Sequence, residues 1–177
     1  NQIIQEVSIH ALARLAETRD PETGNHLGRT QGYVRTLAEA LRDHPRFSAY
    51  LQQHTVDLLV RSAPLHDIGK VGIPDHVLLK PGKLTPDEWT IMQTHARLGR
   101  DAIEAAERDA EETVEFLAIA KEIAHYHHEK WDGSGYPERL AGDAIPISAR
   151  LMALADVFDA LICRRVYKPP MPLAQAT

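Results

Sequence analysis

The sequence predicts an all-α fold. Apolar residues recur every three or four positions along most of the 177-residue chain, which is the spacing of one helix face. No segment alternates apolar and polar residues for long enough to indicate a sheet. Lys80-Pro81-Gly82 and Asp132-Gly133-Ser134-Gly135 mark loops between the periodic segments. These observations predict six or seven helices.

Three apolar stripes predict three helices in the first half of the chain. Asp20-Pro21 places an N-cap residue and a first-turn proline before the second helix. Pro64 predicts a kink in the third. The stripes consist of Ile4, Val7, Ala11, Leu12 and Leu15; of Tyr33, Val34, Leu37, Ala38 and Leu41; and of Val56, Leu59, Val60 and Ala63.

Three further stripes predict the helices of the second half. Thr85-Pro86-Asp87-Glu88 combines a capping box with Pro at the first helical position, so it starts the fourth helix. The stripes consist of Trp89, Met92, Ala96, Gly99 and Ile103; of Phe116, Ile119, Ile123 and His127; and of Ile147, Leu151, Leu154, Phe158 and Ile162.

Composition excludes several classes of protein. A formal net charge of −5 does not favour binding to a nucleic acid polymer. The single cysteine, Cys163, excludes an internal disulfide. No apolar run approaches the ~20 residues of a membrane span, so we expect a cytoplasmic domain without membrane contact. The chain begins at Asn1 within an amphipathic pattern and ends without a helix stop signal, so we expect a piece of a longer protein.

Histidines and acidic residues fall near the inward faces of these helices. His66-Asp67 follows an apolar helix, and both side chains are good ligands for Zn, Mn or Fe. A histidine at a helix C-terminus is the alternative interpretation. Glu22 and His26 are four residues apart and share one helix face. An acid at a helix N-terminus beside a core histidine explains this pair slightly better than a metal site does.

His95 and Asp156 also have two interpretations each. His95 borders its apolar stripe and, taken alone, is more typical of a structural histidine. Asp156 lies among small apolar residues at helical spacing, so we expect its carboxylate to be buried. Either a metal ion or a salt bridge to Arg or Lys would then stabilise its charge.

Three histidines lie within four residues, at His125, His127 and His128. Adjacent helical residues diverge by about 100°, so a single ion would not easily bind both His127 and His128. Two neighbouring ions would each accept one, and paired metal sites serve phosphoester hydrolysis. His125 points elsewhere and is not expected to be a ligand. Five histidines and three acids near inward faces would be hard to satisfy without an ion.

Five motifs in the chain closely resemble the HD-GYP domain, a branch of the HD metal-dependent phosphohydrolases. They are HDIGK at 66–70, ETGNH with Arg29 at 22–29, His95, HHEKWDGSGYP at 127–137 and ADVFDAL at 155–161. The resemblance covers about residues 6 to 173. It implies an HD-type helical bundle with a multinuclear metal site between helices. Residues 1–177 would form one HD-GYP domain that lacks a C-terminal helical segment and follows an upstream regulatory domain, such as a two-component receiver.

The resemblance also implies an activity, which is hydrolysis of the bacterial second messenger cyclic di-GMP to pGpG, GMP or both. The implied cofactors are two or three divalent transition-metal ions, most often Fe or Mn, with Ni, Zn or Co as alternatives. Asp67 would bridge two ions, and Glu22 is associated with a third. The implied metal ligands are Glu22, His26, His66, Asp67, His95, His127, His128 and Asp156.

Three basic residues match family positions that face the substrate phosphates, namely Lys70, Arg165 and Lys168. Val166 stands where the family usually has Pro, a departure that bears on the geometry of Arg165 and Lys168. We expect a hydroxide generated at the ions to attack phosphorus. Lys70 would stabilise developing charge or protonate the leaving 3′-oxygen, and Asp67 would complete the catalytic pair.

Other functions stay open. A mononuclear HD hydrolase could act on mononucleotides or alarmones, and a catalytically weak module could bind cyclic di-GMP or a diguanylate cyclase. The intact ligand set favours catalysis by a multinuclear site, with related cyclic dinucleotides or pGpG as alternative substrates. The loop from Gly133 to Gly135 could orient Tyr136 and Pro137 for packing, act as a lid or dock a diguanylate cyclase. We expect a structural role with some contact to partners.

Overall fold

The structure, a computed structural model, is all-helical in the part of the chain that it describes. It contains eight α-helices, one of them a single turn, and three short 3-10 helices. The one β feature among the described residues is an isolated bridge between Asp132 and Ala141. The predicted all-α fold is therefore confirmed. The described residues are 2–19, 25–109, 114–163, 171–172 and 175.

The helices follow one another with short connections. None of the helices in the described ranges combines the length and apolar character needed to cross a membrane. The 3-10 helices are Ala63–Leu65, Ile68–Gly72 and Gly142–Ala144. The α-helices are α1 (Gln2–Glu17), α2 (His26–Leu41), α3 (Gln53–Ser62), α4 (Asp75–Leu78), α5 (Pro86–Gln93), α6 (His95–Arg108), α7 (Glu115–Tyr126) and α8 (Ile147–Ile162).

The main apolar core lies between α2, α3, α7 and α8, and a second cluster joins α3, α6 and α7. Helix α7 contributes Ile123 to the first cluster and Phe116, Ala120 and Ala124 to the second. Apolar packing therefore holds α7 on two sides, and with it the chain that continues into His127. Burial of apolar surface is the main stabilising contribution to such an arrangement.

The apolar stripe predicts the wrong inward face for α1. Val7, Leu12 and Leu15 are 63%, 56% and 65% exposed, whereas Ala13 and Ala16 are buried. Helix α1 packs against the 3-10 helices Ala63–Leu65 and Ile68–Gly72. Small alanine side chains let its backbone come close to these segments, and larger residues on that face would overpack the contact.

The helix predicted to run from the capping box to Ile103 is divided in two. The capping box itself is confirmed, because Thr85 Oγ1 accepts a hydrogen bond from the Glu88 N–H and Glu88 Oε2 accepts one from the Thr85 N–H. Helix α5 then ends at Gln93. Thr94 Oγ1 donates to the Ile91 carbonyl at 2.6 Å, so a side chain competes with the backbone ladder at the break.

Other predicted boundaries shift by a few residues. Pro64 lies in the 3-10 helix that follows α3, so it ends the α-helix and does not kink it. Asp20-Pro21 lies outside the described residues, and α2 begins at His26 after Asn25 in the left-handed conformation (φ 61). In α8, Leu154 is exposed although it belongs to the predicted stripe.

Candidate metal centre

Seven of the predicted metal ligands come together in the interior as two adjacent groups. Within each group, the potential ligand atoms lie within 4.8 Å of one another. The eighth, Glu22, lies outside the described residues. The first group consists of Asp67, His95, His127 and His128, and the second consists of His26, His66 and Asp156.

Helix ends bring most of these side chains together. His26 is the first residue of α2, and His95 is the first residue of α6. His66 and Asp67 lie between the two 3-10 helices that follow α3, Ala63–Leu65 and Ile68–Gly72. His127 and His128 follow α7, and Asp156 projects from within α8. Segments that are distant in sequence thus meet at one point of the bundle. Five histidines among the described residues are buried, and four of them, His26, His66, His95 and His127, belong to these two groups; the fifth is His125.

These four buried histidines share one hydrogen-bonding arrangement. The Nδ1 atoms of His66, His95 and His127 lie 2.9, 2.8 and 2.9 Å from the carbonyl oxygens of Ala63, Met92 and Ile123. His26 Nδ1 lies 2.8 Å from Asp159 Oδ2. Since these oxygens accept, each Nδ1 must carry a hydrogen, and in the neutral imidazole Nε2 is then the acceptor. Histidine ligands of metals are oriented in the same way.

Three buried atoms converge in the first group without a hydrogen-bond partner among the described residues. They are Asp67 Oδ1, His95 Nε2 and His127 Nε2. Asp67 Oδ1 lies 3.4 Å from the His95 nitrogen and 3.6 Å from the His127 nitrogen. Buried acceptors that face one another are costly unless a donor or cation lies between them. The donor set therefore fits a divalent metal ion.

Asp67 also faces the second group through its other oxygen. Asp67 Oδ2 lies 3.3 Å from His66 Nε2 and 2.7 Å from Lys70 Nζ. His66 Nε2 in turn lies 3.4 Å from His26 Nε2, which is 3.8 Å from Asp156 Oδ1. One carboxylate thus connects the two groups.

Burial and neighbouring charges shift the pKa values of the centre's side chains in opposite directions. Burial lowers the pKa of His95 to about 4 and also lowers that of His128. Burial opposes protonation of His66 as well, but the charge of Asp67 outweighs it and raises the pKa of His66 to about 9. Burial would raise the pKa of the Asp67 carboxyl, but Lys70 and His66 hold it well below its usual range. A cation bound here would displace the proton of His66.

His127 and His128 lie in the same group, and their binding to two different ions stays a prediction. Helix α7 ends at Tyr126, and both histidines belong to the following turn. The divergence of about 100° between neighbours applies only inside a helix. Their ring centroids are 4.0 Å apart with an interplanar angle of 42°. His125 belongs to neither group, and its Nε2 lies 3.1 Å from Glu138 Oε1.

The salt bridge considered for Asp156 is made by Asp159 instead, a residue that sequence reasoning missed. Asp159 is 2% exposed and accepts hydrogen bonds from Arg29 Nε at 2.7 Å and His26 Nδ1 at 2.8 Å. Burial would raise the pKa of its carboxyl, but Arg29 and His26 lower it. The signal was present, because Asp159 lies one turn after Asp156 on the face that contains Met152.

Of the basic residues predicted to face substrate, the structure describes Lys70 alone. Lys70 lines a small cavity together with His26, His66 and Asp67, and Ala13 and Ala16 of α1 close its other side. Arg165 and Lys168 lie outside the described residues.

Comparison with known proteins identifies the family. Residues 10–177 match the HD domain family. The chain is 61% identical over 173 residues to a probable cyclic di-GMP phosphodiesterase of Vibrio cholerae serotype O1, a match that covers 98% of this chain and 39% of the relative. It is 61% identical over 165 residues to a cyclic di-GMP phosphodiesterase of the same organism, with coverages of 93% and 33%.

A third relative in that organism, 3′3′-cGAMP-specific phosphodiesterase 2, is 46% identical over 162 residues, with coverages of 92% and 28%. The chain thus spans well under half the length of the relatives it matches. The buried histidine and aspartate groups agree with the family match. The chain belongs to the HD domain family, and its resemblance to the HD-GYP branch is confirmed.

Proposed function

We propose that this chain is a metal-dependent phosphodiesterase that hydrolyses cyclic di-GMP to pGpG, GMP or both. The observation that carries the proposal is the convergence of three buried atoms, Asp67 Oδ1, His95 Nε2 and His127 Nε2, beside a second histidine group. Two relatives at 61% identity are named for this activity, which supports the substrate.

We propose two or three divalent transition-metal ions as cofactors, with Fe or Mn preferred and Ni, Zn or Co as alternatives. Imidazole nitrogens and carboxylate oxygens suit these ions. When bound, such ions acidify water and neutralise phosphoryl oxygens. Asp67 faces both groups, so it is the proposed bridging ligand. The other proposed ligands are Glu22, His26, His66, His95, His127, His128 and Asp156.

Lys70 is the proposed cation for the reacting phosphate. Its Nζ is paired with Asp67 Oδ2 at the edge of a cavity. We propose that Lys70 turns from this carboxylate to a phosphate oxygen of the substrate. There its charge would stabilise the developing negative charge, or its proton would reach the leaving 3′-oxygen. Arg165 and Lys168, which lie outside the described residues, are proposed to bind the second phosphate.

The relatives leave a choice between two cyclic dinucleotides. One relative at 46% identity is named as specific for 3′3′-cGAMP. We propose cyclic di-GMP for this chain because the two relatives with higher identity are named for it.

We also propose that the chain is the output domain of a longer cytoplasmic signalling protein with an upstream receiver or sensor domain. The relatives support this, since the chain matches 39% and 33% of their lengths. A contact between the loop that ends at Pro137 and a diguanylate cyclase stays part of the proposal. The exposed Trp131 at the start of this loop supports an accessible surface there.

Anaerobic purification with metal quantification tests the proposal, combined with turnover of cyclic di-GMP, 3′3′-cGAMP and pGpG under each metal. The double variant His66→Ala, Asp67→Ala should lose both bound metal and turnover. His54→Ala is the matched control, because His54 is an exposed histidine that pairs with Glu115 on the surface.

Retained hydrolysis in the double variant would contradict the proposal. A single ion per chain would favour a mononuclear hydrolase. Tight cyclic di-GMP binding with slow turnover under every metal would favour a regulatory module.

A further inference from the structure

His128 is held differently from the other clustered histidines. The Nδ1 atoms of His26, His66, His95 and His127 each have an oxygen partner. Within the described ranges, the ring of His128 makes no hydrogen bond to any residue. A proposed ligand whose ring is not hydrogen-bonded needs another contact to fix its orientation, because metal binding depends on where the nitrogen lone pair points.

An aromatic side chain supplies that contact. The ring of Tyr136 stacks on His128 with centroids 4.7 Å apart and an interplanar angle of 25°. The Tyr136 ring also makes edge contacts with two other rings. Its centroid lies 6.2 Å from that of His95 at an interplanar angle of 81°, and 6.0 Å from that of Trp89 at 83°. Tyr136 is therefore in ring contact with two residues of one metal-binding group. We propose that Tyr136 is a positioning residue that holds the ring of His128 in its metal-binding orientation, an inference that rests on the proposed metal site.

The backbone of the loop is built to keep Tyr136 in this place. The Tyr136 N–H donates to the His128 carbonyl at 3.2 Å, so the tyrosine is tied to the residue on which it stacks. Gly135, the residue before the tyrosine, packs closely against the backbone of residues 128–130. A Cβ atom at Gly135 would come within 2.4 Å of Lys130 N and 2.6 Å of His128 O. No residue with a side chain fits there unless the loop moves away from His128.

Glu129, the residue after His128, closes the other end of the loop. It is only 4% exposed, and its carboxylate accepts hydrogen bonds from the Glu138 N–H at 2.7 Å and the Leu140 N–H at 3.0 Å. A buried carboxylate that binds two amides of one segment fixes that segment relative to its own backbone. The chain on both sides of Tyr136 is thus tied back to His128 or its neighbour.

Substitution of the tyrosine tests the inference in the intact protein, with Co²⁺ as the probe. Tyr136→Leu removes the ring and should weaken Co²⁺ binding about 10- to 100-fold, the effect typical of residues that orient a ligand. It should also change the visible absorption of bound Co²⁺. Tyr136→Phe retains the ring and should keep the affinity and spectrum of the unaltered protein.

Tyr126→Leu is the matched control. The ring of Tyr126 contacts His125, a histidine outside both groups, at 4.5 Å and 70°. This variant also loses a tyrosine–imidazole contact, but Co²⁺ affinity and absorption should not change. If Tyr136→Leu fails to fold, Glu129→Gln tests the same inference with the tyrosine in place, and it should weaken Co²⁺ binding in the same direction.

Unchanged Co²⁺ affinity and absorption in folded Tyr136→Leu would overturn the inference. It would also be overturned if Tyr136→Phe lost as much affinity as Tyr136→Leu, because the hydroxyl and not the stacked ring would then matter. His128→Ala separates this failure from failure of the proposed site. If His128→Ala weakens Co²⁺ binding and Tyr136→Leu does not, only the positioning role fails. If neither variant weakens binding, His128 is not a ligand.

Discussion

The two groups of the metal centre contain similar side chains but are supported by different contacts. In the second group, the ring of His26 is held by a buried carboxylate, Asp159, which also binds Arg29. In the first group, His95 and His127 are held by carbonyl oxygens of their own turns, and His128 by the ring of Tyr136. Of these supports, only the carboxylate at His26 is charged, since His66 of the second group is also held by a carbonyl oxygen, that of Ala63. The same ligand chemistry can therefore be disturbed selectively, one group at a time.

The largest effect should come from Asp67→Asn, because the Asp67 carboxylate belongs to the first group and also faces His66 of the second. One of its oxygens faces His66 and the other faces His95 and His127. An amide offers one oxygen and no charge, so we expect loss of metal from both groups and turnover at background level. Metal quantification and cyclic di-GMP turnover measure this.

His95→Ala shows whether the loss of metal extends to both groups only when Asp67 is changed, because it removes a ligand from the first group alone. It should reduce the metal content and leave part of it bound. Full metal content in the Asp67→Asn protein would refute the shared role of this carboxylate.

A smaller and one-sided effect is expected from Asp159→Asn. The carboxylate that orients His26 and pairs with Arg29 is replaced by a neutral amide. Removing such an orienting residue typically costs 10- to 100-fold in metal affinity. The loss should be confined to the ion nearest His26, and chelator competition monitored by Co²⁺ absorption would measure it.

Asp143→Asn provides the control for this substitution. Asp143 also pairs with two arginines, Arg46 and Arg150, but it lies on the surface. Its replacement should leave metal affinity unchanged. Equal losses in the two variants would show that the effect is not specific to the support of His26.

The effect of pH concerns the stability of the metal-free protein and acts through His66, which Asp67 keeps protonated up to a pKa of about 9. Because this folded-state pKa is raised, the metal-free protein gains stability that is fully present below the unfolded value of 6.5. That stability is lost as the pH rises through about 9. The shift from 6.5 to about 9 corresponds to a contribution on the order of 3 kcal/mol to the free energy of unfolding.

Urea unfolding with chelator between pH 6 and 9.5 measures this loss. Metal binding near pH 7.5 should release about one proton from His66, which calorimetry in buffers of different ionisation enthalpy detects. Stability that stays constant over this range, together with no proton release, would contradict the raised pKa.

Local features were predicted well from the sequence because each depends on residues close in the chain. The capping box at Thr85 forms through contacts three residues apart. The Nδ1 bonds of His66, His95 and His127 are equally local, with carbonyl partners three or four residues earlier, but they were not among the predictions. The ligand types and the all-α class followed from such local patterns together with the resemblance to a family.

Other features depend on which segments meet in space. The sequence alone determined the helices, most of the candidate ligands and the loop that identifies the HD-GYP branch. Only the tertiary structure decided that α1 packs through Ala13 and Ala16, that Asp159 supports His26, and that His127 and His128 share one group. The physical reason is that burial and pairing of a polar side chain depend on partners far away in sequence. The Arg29–Asp159 pair, for example, joins residues 130 positions apart.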